Sequence, residues 1–281
     1  MSARPPQNRS RWWRLLTEPR SLLGATLVVL VLLAALFGPL LSPFDPTVPD
    51  FLATLSAPSA THLLGTDDLG RDVLARILEG ARVSLLVGLG SVGAALLVGA
   101  PLGLLAGYAG GWTDGVVMRC TDVLLAFPGI LLALGITAAM GASLPVTVAA
   151  IALVNLPILL RVARGEALAL RGRDFVQAER ALGFGSATIL LRAVGPNALS
   201  PILVQASVLL ASSVITESYL SFLGLGVQPP TPSWGNMLHD AVGFLDQAVW
   251  LACFPGLAIF LTVLGFNLLG DALRDRLDPN D

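Results

Sequence analysis

Five long apolar stretches of the sequence contain no charged residue, and this pattern constrains the fold more than any other feature. The hydrocarbon core of a bilayer takes about 20 helical residues, so each stretch is long enough to cross a membrane. The stretches are 21–44, 83–113, 123–160, 193–216 and 247–270. Hydrophobic residues make up 54% of the chain and charged residues only 13%, against roughly 25% charged in soluble domains. This composition excludes a soluble enzyme.

The stretch 123–160 is too long for one helix, and the sequence Met-Gly-Ala-Ser-Leu-Pro at 140–145 predicts a turn in its middle. The first of the two resulting helices is expected to begin near Val116 and the second to end near Arg161. The uncharged stretch 218–239 is rich in proline and glycine, which a lipid-exposed helix does not tolerate, so it is predicted as a loop. The sequence therefore predicts an all-α polytopic membrane protein with six transmembrane helices.

The distribution of arginine predicts the orientation of these helices. If the N-terminus is cytoplasmic, only Arg71, Arg76 and Arg82 lie outside, and all other arginines collect in cytoplasmic segments. Both termini are therefore expected in the cytoplasm. The resulting segments are an interfacial N-terminal segment 1–20 that includes Arg11–Arg14, a first anchor 21–41, an outer loop 42–82, a membrane core 83–270 with a cytoplasmic loop 161–197 and an outer loop 218–248, and a cytoplasmic tail 271–281.

Two absences restrict the chemistry that this chain can carry out. All 17 basic residues are arginine, and a Walker A phosphate loop needs its lysine, so the chain is not expected to bind ATP through a P-loop of its own. Two Cys and two His cannot build a disulfide framework, and they lie too far apart in sequence for a four-ligand zinc site. No metal site and no catalytic residue is expected.

Glycines at every fourth position of the second predicted helix form a stripe without side chains. They are Gly99, Gly103, Gly107 and Gly111. Such a stripe predicts that the backbone of a neighbouring helix approaches closely, with pore lining as the alternative.

The cytoplasmic loop 161–197 carries the most informative pattern. Phe175, Ala178 and Leu182 fall on one face of a helix, and Gly183 is expected just past its end, where a left-handed backbone is common. Ser186 is expected to cap a second short helix that Pro196 closes. The residues alone leave two interpretations open: a solvated loop, or two short helices that dock onto a partner.

Four blocks of sequence carry a resemblance to a known family. Gln177-Ala178-Glu179, followed at the family's spacing by Gly183 and by Ala193-Val194-Gly195-Pro196, resembles the EAA loop of ABC importer permeases, although Gln177 stands where that pattern has glutamate. The blocks Gly65–Asp72, Leu220–Gly226 with Pro232–Gly235, and Gly270-Asp271 with the tail to Pro279 are similar to the C-type permease subunit of dipeptide and oligopeptide importers.

The resemblance implies a multi-pass subunit of the bacterial inner membrane that forms half of a translocation pore. It implies a B-type partner permease, two ATPase subunits that bind ATP and Mg²⁺ in place of this chain, and an extracytoplasmic substrate-binding protein. The loop 161–197, hereafter the coupling loop, would dock onto an ATPase through Phe175, Gln177, Ala178, Glu179, Leu182, Gly183 and Pro196. The outer loops 42–82 and 218–248 would receive the binding protein. Peptides are the implied cargo, with nickel or glutathione as alternatives.

A secondary transporter or channel is the competing class, because such proteins place ionisable groups near the middle of the membrane. The predicted helices contain almost none. Glu217, at the outer end of the fifth helix, is the candidate for the substrate path, and contact with a partner helix is the alternative. An intramembrane hydrolase is disfavoured because His62 and His239 both fall in outer loops.

Overall fold

The computed structural model describes residues 18–277, whose regular structure is helical. The helices are α1 (Pro19–Leu41), α2 (Val73–Ala109), α3 (Gly111–Leu125), α4 (Gly129–Met140), α5 (Leu144–Arg171), α6 (Asp174–Ala181), α7 (Ser186–Ile189), α8 (Gly195–Phe222), α9 (Trp234–Ala241) and α10 (Trp250–Leu277). A π-helical turn, Leu190–Val194, joins α7 to α8. The predicted interfacial segment at Arg11–Arg14 and the motif Asp278-Pro279 lie outside the described residues.

The predicted all-α polytopic architecture is confirmed. Between residues 18 and 277, five helical segments are long and apolar enough to cross a membrane, and α3 with α4 provides a sixth if the two count as one broken span. The five are α1, α2, α5, the continuous run from α7 to α8, and α10. Helix α2 packs most extensively against α5, and α1 and α10 pack beside each other at one side of the bundle.

The span that was expected to begin near Val116 is broken. It starts at Gly111, and α3 and α4 meet at an angle of 83°. The break falls at Phe127-Pro128 because the residue before proline is disfavoured in helical geometry. The second break, between Met140 and Leu144, lies where the sequence predicts it.

Helices extend beyond the charge-free stretches, α2 and α5 the furthest. Helix α2 begins at Val73 rather than Val83, because the carboxylate of Asp72 accepts a hydrogen bond from the N–H of Ala75 at 2.8 Å and caps it. Helix α5 continues to Arg171 rather than ending near Arg161. The outer loop is correspondingly shorter than predicted. The charge-free stretches therefore located the helices but did not mark their ends.

The glycine stripe packs tightly against α5, as predicted. A Cβ atom built on Gly99 would lie 3.0 Å from the Leu156 carbonyl oxygen, and one on Gly103 or Gly107 would clash with the carbonyl oxygens of Leu160 and Arg164. The fourth glycine, Gly111, has open space around it. The first three glycines therefore set the close approach of α2 and α5.

Candidate functional site

Helix α6 is held against the end of the bundle by one buried side chain. Val176 is fully buried and packs with Tyr108, Ala167, Ile189 and Val194 in an apolar cluster. The predicted face points the other way: Phe175 and Leu182 are 42% and 77% exposed, and Ala178 is also exposed. The sequence pattern did not reveal Val176, because a single buried residue produces no hydrophobic periodicity.

The end of α6 is a Schellman motif centred on Gly183. The N–H of Phe184 donates to the carbonyl of Glu179 at 3.1 Å, and the N–H of Gly183 donates to the carbonyl of Arg180 at 3.0 Å. Gly183 has φ of +83°, which confirms the predicted left-handed position. Phe184, 49% exposed, adds to the exposed apolar face of α6, and it was not among the predicted residues.

The second short helix of the coupling loop differs from the prediction. Gly185, not Ser186, is the N-cap of α7, and the Ser186 side chain makes no capping hydrogen bond. Pro196 does not close the helix, because the π-helical turn Leu190–Val194 widens the backbone ahead of it. The side chain of Asn197 donates to the Ala193 carbonyl at 2.7 Å. The helical run therefore continues from the coupling loop into α8.

The remaining candidate residues of the coupling loop differ in their exposure to solvent. Gln177 is exposed, and its side-chain amide donates to the Arg171 carbonyl at 3.1 Å. Glu179 is half-buried, and Pro196 is exposed. Helix α5 is braced beside them by two ion pairs to α3, Arg161–Asp122 at 2.7 Å and Arg164–Asp114 at 2.5 Å.

At the opposite end of the bundle, loop 42–72 and the α9 region form one connected surface. Arg71 contacts Asp67 at 2.7 Å, and Arg76 reaches Asp67 at 3.4 Å and Asp240 at 3.7 Å. The indole N–H of Trp250 donates to the Thr66 carbonyl at 3.3 Å. The stretch 218–239, which was predicted as a loop, contains the end of α8 and most of α9, so its irregular part is 223–233.

Glu217 lies inside the bundle. Its side chain is fully buried in α8 and accepts hydrogen bonds from Ser221 at 2.7 Å and from Ser84 of α2 at 3.1 Å. It therefore does not line an open path in this conformation, and its geometry favours the alternative of a helix contact. Within residues 18–277, no three His, Cys, Asp or Glu side chains are grouped as metal ligands.

Comparison with known families and proteins relates this architecture to transport. Residues 99–280 match the family model described as binding-protein-dependent transport system inner membrane component. Residues 7–58 match the N-terminal transmembrane domain of oligopeptide transport permease C.

Curated relatives cover nearly the whole chain. A di/tripeptide transport system permease protein of Pseudomonas aeruginosa is 43% identical over 98% of this chain and 93% of its own length. A dipeptide transport system permease protein of Alkalihalophilus pseudofirmus is 44% identical over 92% of this chain and 85% of its own length. A glutathione transport system permease protein of Pectobacterium atrosepticum is 44% identical over 96% of this chain and 90% of its own length.

These matches, together with the apolar helices, identify a multi-pass protein of the bacterial inner membrane. The N-terminal match and the peptide-permease relatives narrow the assignment further. This chain belongs to the C-type permease subunits of the dipeptide and oligopeptide ABC importers.

Proposed function

We propose that this subunit forms half of the translocation pathway for short peptides and that its coupling loop binds a separate ATPase subunit. The observation that carries the proposal is the exposed apolar face formed by Phe175, Ala178, Leu182 and Phe184. Apolar patches that are exposed beside polar residues commonly mark protein interaction sites. The face lies on α6 and on the residues just beyond its end, outside the long membrane-crossing helices.

The helices that flank the coupling loop make it a suitable lever. Helix α5 ends at Arg171, with two residues between it and the start of α6, and the run from α7 leads into α8 without a break. Each of α5 and α8 has 28 residues, about 42 Å at 1.5 Å per residue. The amide of Asn155 donates to the Ser213 hydroxyl at 2.8 Å in the buried contact between them. A displacement of α6 would therefore move both helices together.

The other components follow from membership of this importer family. A partner permease would complete the pathway, and a binding protein would dock on the surface built by loop 42–72 and the α9 region. ATP and Mg²⁺ would be bound by two ATPase subunits, because this chain contains no lysine for a Walker A loop. The permease itself would bind no cofactor.

Short peptides are the proposed cargo, since relatives named for di/tripeptide and dipeptide transport match over almost the whole chain. Glutathione is a second candidate, because relatives named as glutathione permeases are equally similar. The binding protein would select between these substrates. Titration of that protein with a dipeptide, a tripeptide and glutathione distinguishes the two candidates.

The ATPase contact is tested by placing a charge on the exposed face. Leu182→Asp should abolish co-purification of the ATPase subunits, because a carboxylate would have to be desolvated in an apolar contact. Val249→Asp is the matched control: Val249 is also an exposed apolar residue, at 58%, but lies next to α10 at the other end of the bundle. Normal recovery of the ATPase with Leu182→Asp would contradict the proposal.

A further inference from the structure

A polar cleft of about 540 Å³ opens where α6 meets the C-terminal ends of α2 and α5. Its size falls within the range of small-ligand sites. Arg171 and Arg180 supply its charge, and no acidic residue lines it. The cleft is therefore built to receive an anion.

Tyr108 positions both arginines. The guanidinium of Arg171 donates to the backbone carbonyl of Tyr108 at 3.4 Å. The guanidinium carbon of Arg180 lies 5.2 Å from the centre of the Tyr108 ring, within cation–π range. Tyr108 is itself buried in the apolar cluster that anchors α6. Both guanidinium groups are thus partly ordered before any ligand binds, which lowers the entropic cost of binding.

The positive charge of the cleft is not neutralised within the described chain. Neither Arg171 nor Arg180 forms an ion pair among residues 18–277. Asp114, whose charge also interacts with that of Arg171, is already held by two hydrogen bonds from Arg164 at 2.5 and 2.6 Å. The negative ends of the α2 and α5 dipoles repel an anion. The charges of both arginines are therefore needed to bind one in the cleft.

The surroundings of the cleft indicate where the anion comes from. The cleft lies at the ends of two membrane-crossing helices, and the half-exposed Leu168 forms part of its wall. Trp112, 84% exposed, stands three residues beyond Ala109 of the cleft, and indoles concentrate at headgroup depth. Basic pockets between transmembrane helices bind anionic headgroups. We propose that the cleft binds the phosphate group of an anionic phospholipid.

Such a lipid would join the coupling loop to the bundle. Arg180 belongs to α6 and Arg171 to α5, so one phosphate that accepts hydrogen bonds from both would fix the position of α6. This consequence rests on the proposed role of α6 in ATPase docking. The lipid site itself does not, and it is measured independently of ATP hydrolysis.

The test uses the assembled importer, purified in detergent and exchanged into nanodiscs of phosphatidylcholine with or without phosphatidylglycerol. Native mass spectrometry counts the phosphatidylglycerol molecules that remain bound. The double variant Arg171→Gln/Arg180→Gln should weaken retention about tenfold, which corresponds to about 1.4 kcal/mol. Arg180→Gln alone, which changes only the α6 side of the cleft, should weaken it less. Arg192→Gln removes the same charge from an exposed position outside the cleft and should retain the lipid like the unmodified protein.

Each outcome bears on a separate statement. Equal lipid retention in the double variant and the unmodified protein would overturn the site. If inorganic phosphate displaces the lipid at millimolar concentration, the cleft takes phosphate as such and the assignment to lipid is wrong. If the lipid is lost but substrate-stimulated ATPase activity stays unchanged, the site stands and its link to coupling fails. Failure of the Leu182→Asp test would leave lipid retention unaffected.

Discussion

At the scale of single residues, Asp240 of α9 occupies an environment that opposes its charge. Burial raises the pKa of its carboxyl above the usual value, Arg76 counteracts this effect, and Asp68 adds to it, while Arg71 and His239 favour the ionised form. Because the pKa is raised in the folded state, the folded protein binds the proton more tightly than the unfolded chain. The stabilisation is therefore present at low pH and is lost as pH rises through the pKa of Asp240.

The raised pKa of Asp240 therefore predicts a measurable dependence of protein stability on pH. The measured quantity is the difference between two melting temperatures, that of the unmodified protein minus that of Asp240→Asn. This difference should increase as the pH falls from neutral to mildly acidic values. Asp246→Asn, a change at an exposed carboxylate outside the ion-pair cluster, is the control and should leave this difference near zero throughout. A difference for Asp240→Asn that does not change with pH would show that the carboxyl does not titrate in this window.

Two residues show what sequence reasoning could and could not predict at this scale. Gly183 was predictable because a left-handed backbone position depends on local sequence. The partner of Glu217 was not, because Ser84 lies 133 positions away along the chain. Only the packing of α2 on α8 brings the two together, so the sequence offered Glu217 for the substrate path and left helix contact open as the alternative.

At the scale of elements, the exit from α6 depends on the backbone of Gly183 rather than on space around it. No heavy atom lies within 4 Å of a Cβ built there, so a substitution is strained by the positive φ alone. The left-handed conformation costs an ordinary residue roughly 1–2 kcal/mol, and more for a β-branched one. Gly183→Val should therefore shift α7 relative to α6, abolishing substrate-stimulated ATPase activity and uptake while membrane insertion and capture of the loaded binding protein remain normal.

Gly183→Asn is the matched control for this change, since asparagine tolerates the left-handed region and has the same open space. Its stimulated ATPase activity should stay close to that of the unmodified protein. Uptake at the normal rate by Gly183→Val would mean that the coupling loop is not the lever.

Element boundaries were the least predictable part of the fold. Charge-free stretches located the helices because burying charge in lipid is costly, yet Arg76 lies inside α2, neutralised by Asp67 and Asp240. The break at Phe127-Pro128 lies within an uncharged stretch, where hydrophobicity gives no signal. The π-helical turn before Pro196 illustrates a third limit: one widened turn keeps a helix continuous where proline alone predicts an end.

At the scale of the whole molecule, the two surfaces proposed to bind partners lie at opposite ends of the helices in the described chain. One is the apolar face of the coupling loop, and the other is the ion-paired surface of loop 42–72 and α9. The sequence predicted both surfaces through the family resemblance and through the uneven distribution of arginine. It could not predict that the two outer segments are tied together, because the Arg76–Asp240 contact depends on how α9 packs against α2.

The orientation of these two surfaces across the membrane can be tested by cysteine labelling. The positive-inside rule places the coupling loop in the cytoplasm, so cysteines introduced at the exposed residues Ser59 and Gln247 should react with a membrane-impermeant maleimide in intact spheroplasts. A cysteine at Ser186, also exposed, should react only after lysis.

The background must lack Cys120 and Cys253, because both are exposed. Ser233, although it lies in the same outer segment, is unsuitable because it is fully buried as the N-cap of α9. Labelling of Ser186→Cys in intact spheroplasts, with protection of the other two positions, would invert the topology and leave the coupling loop without access to cytoplasmic ATP-binding subunits.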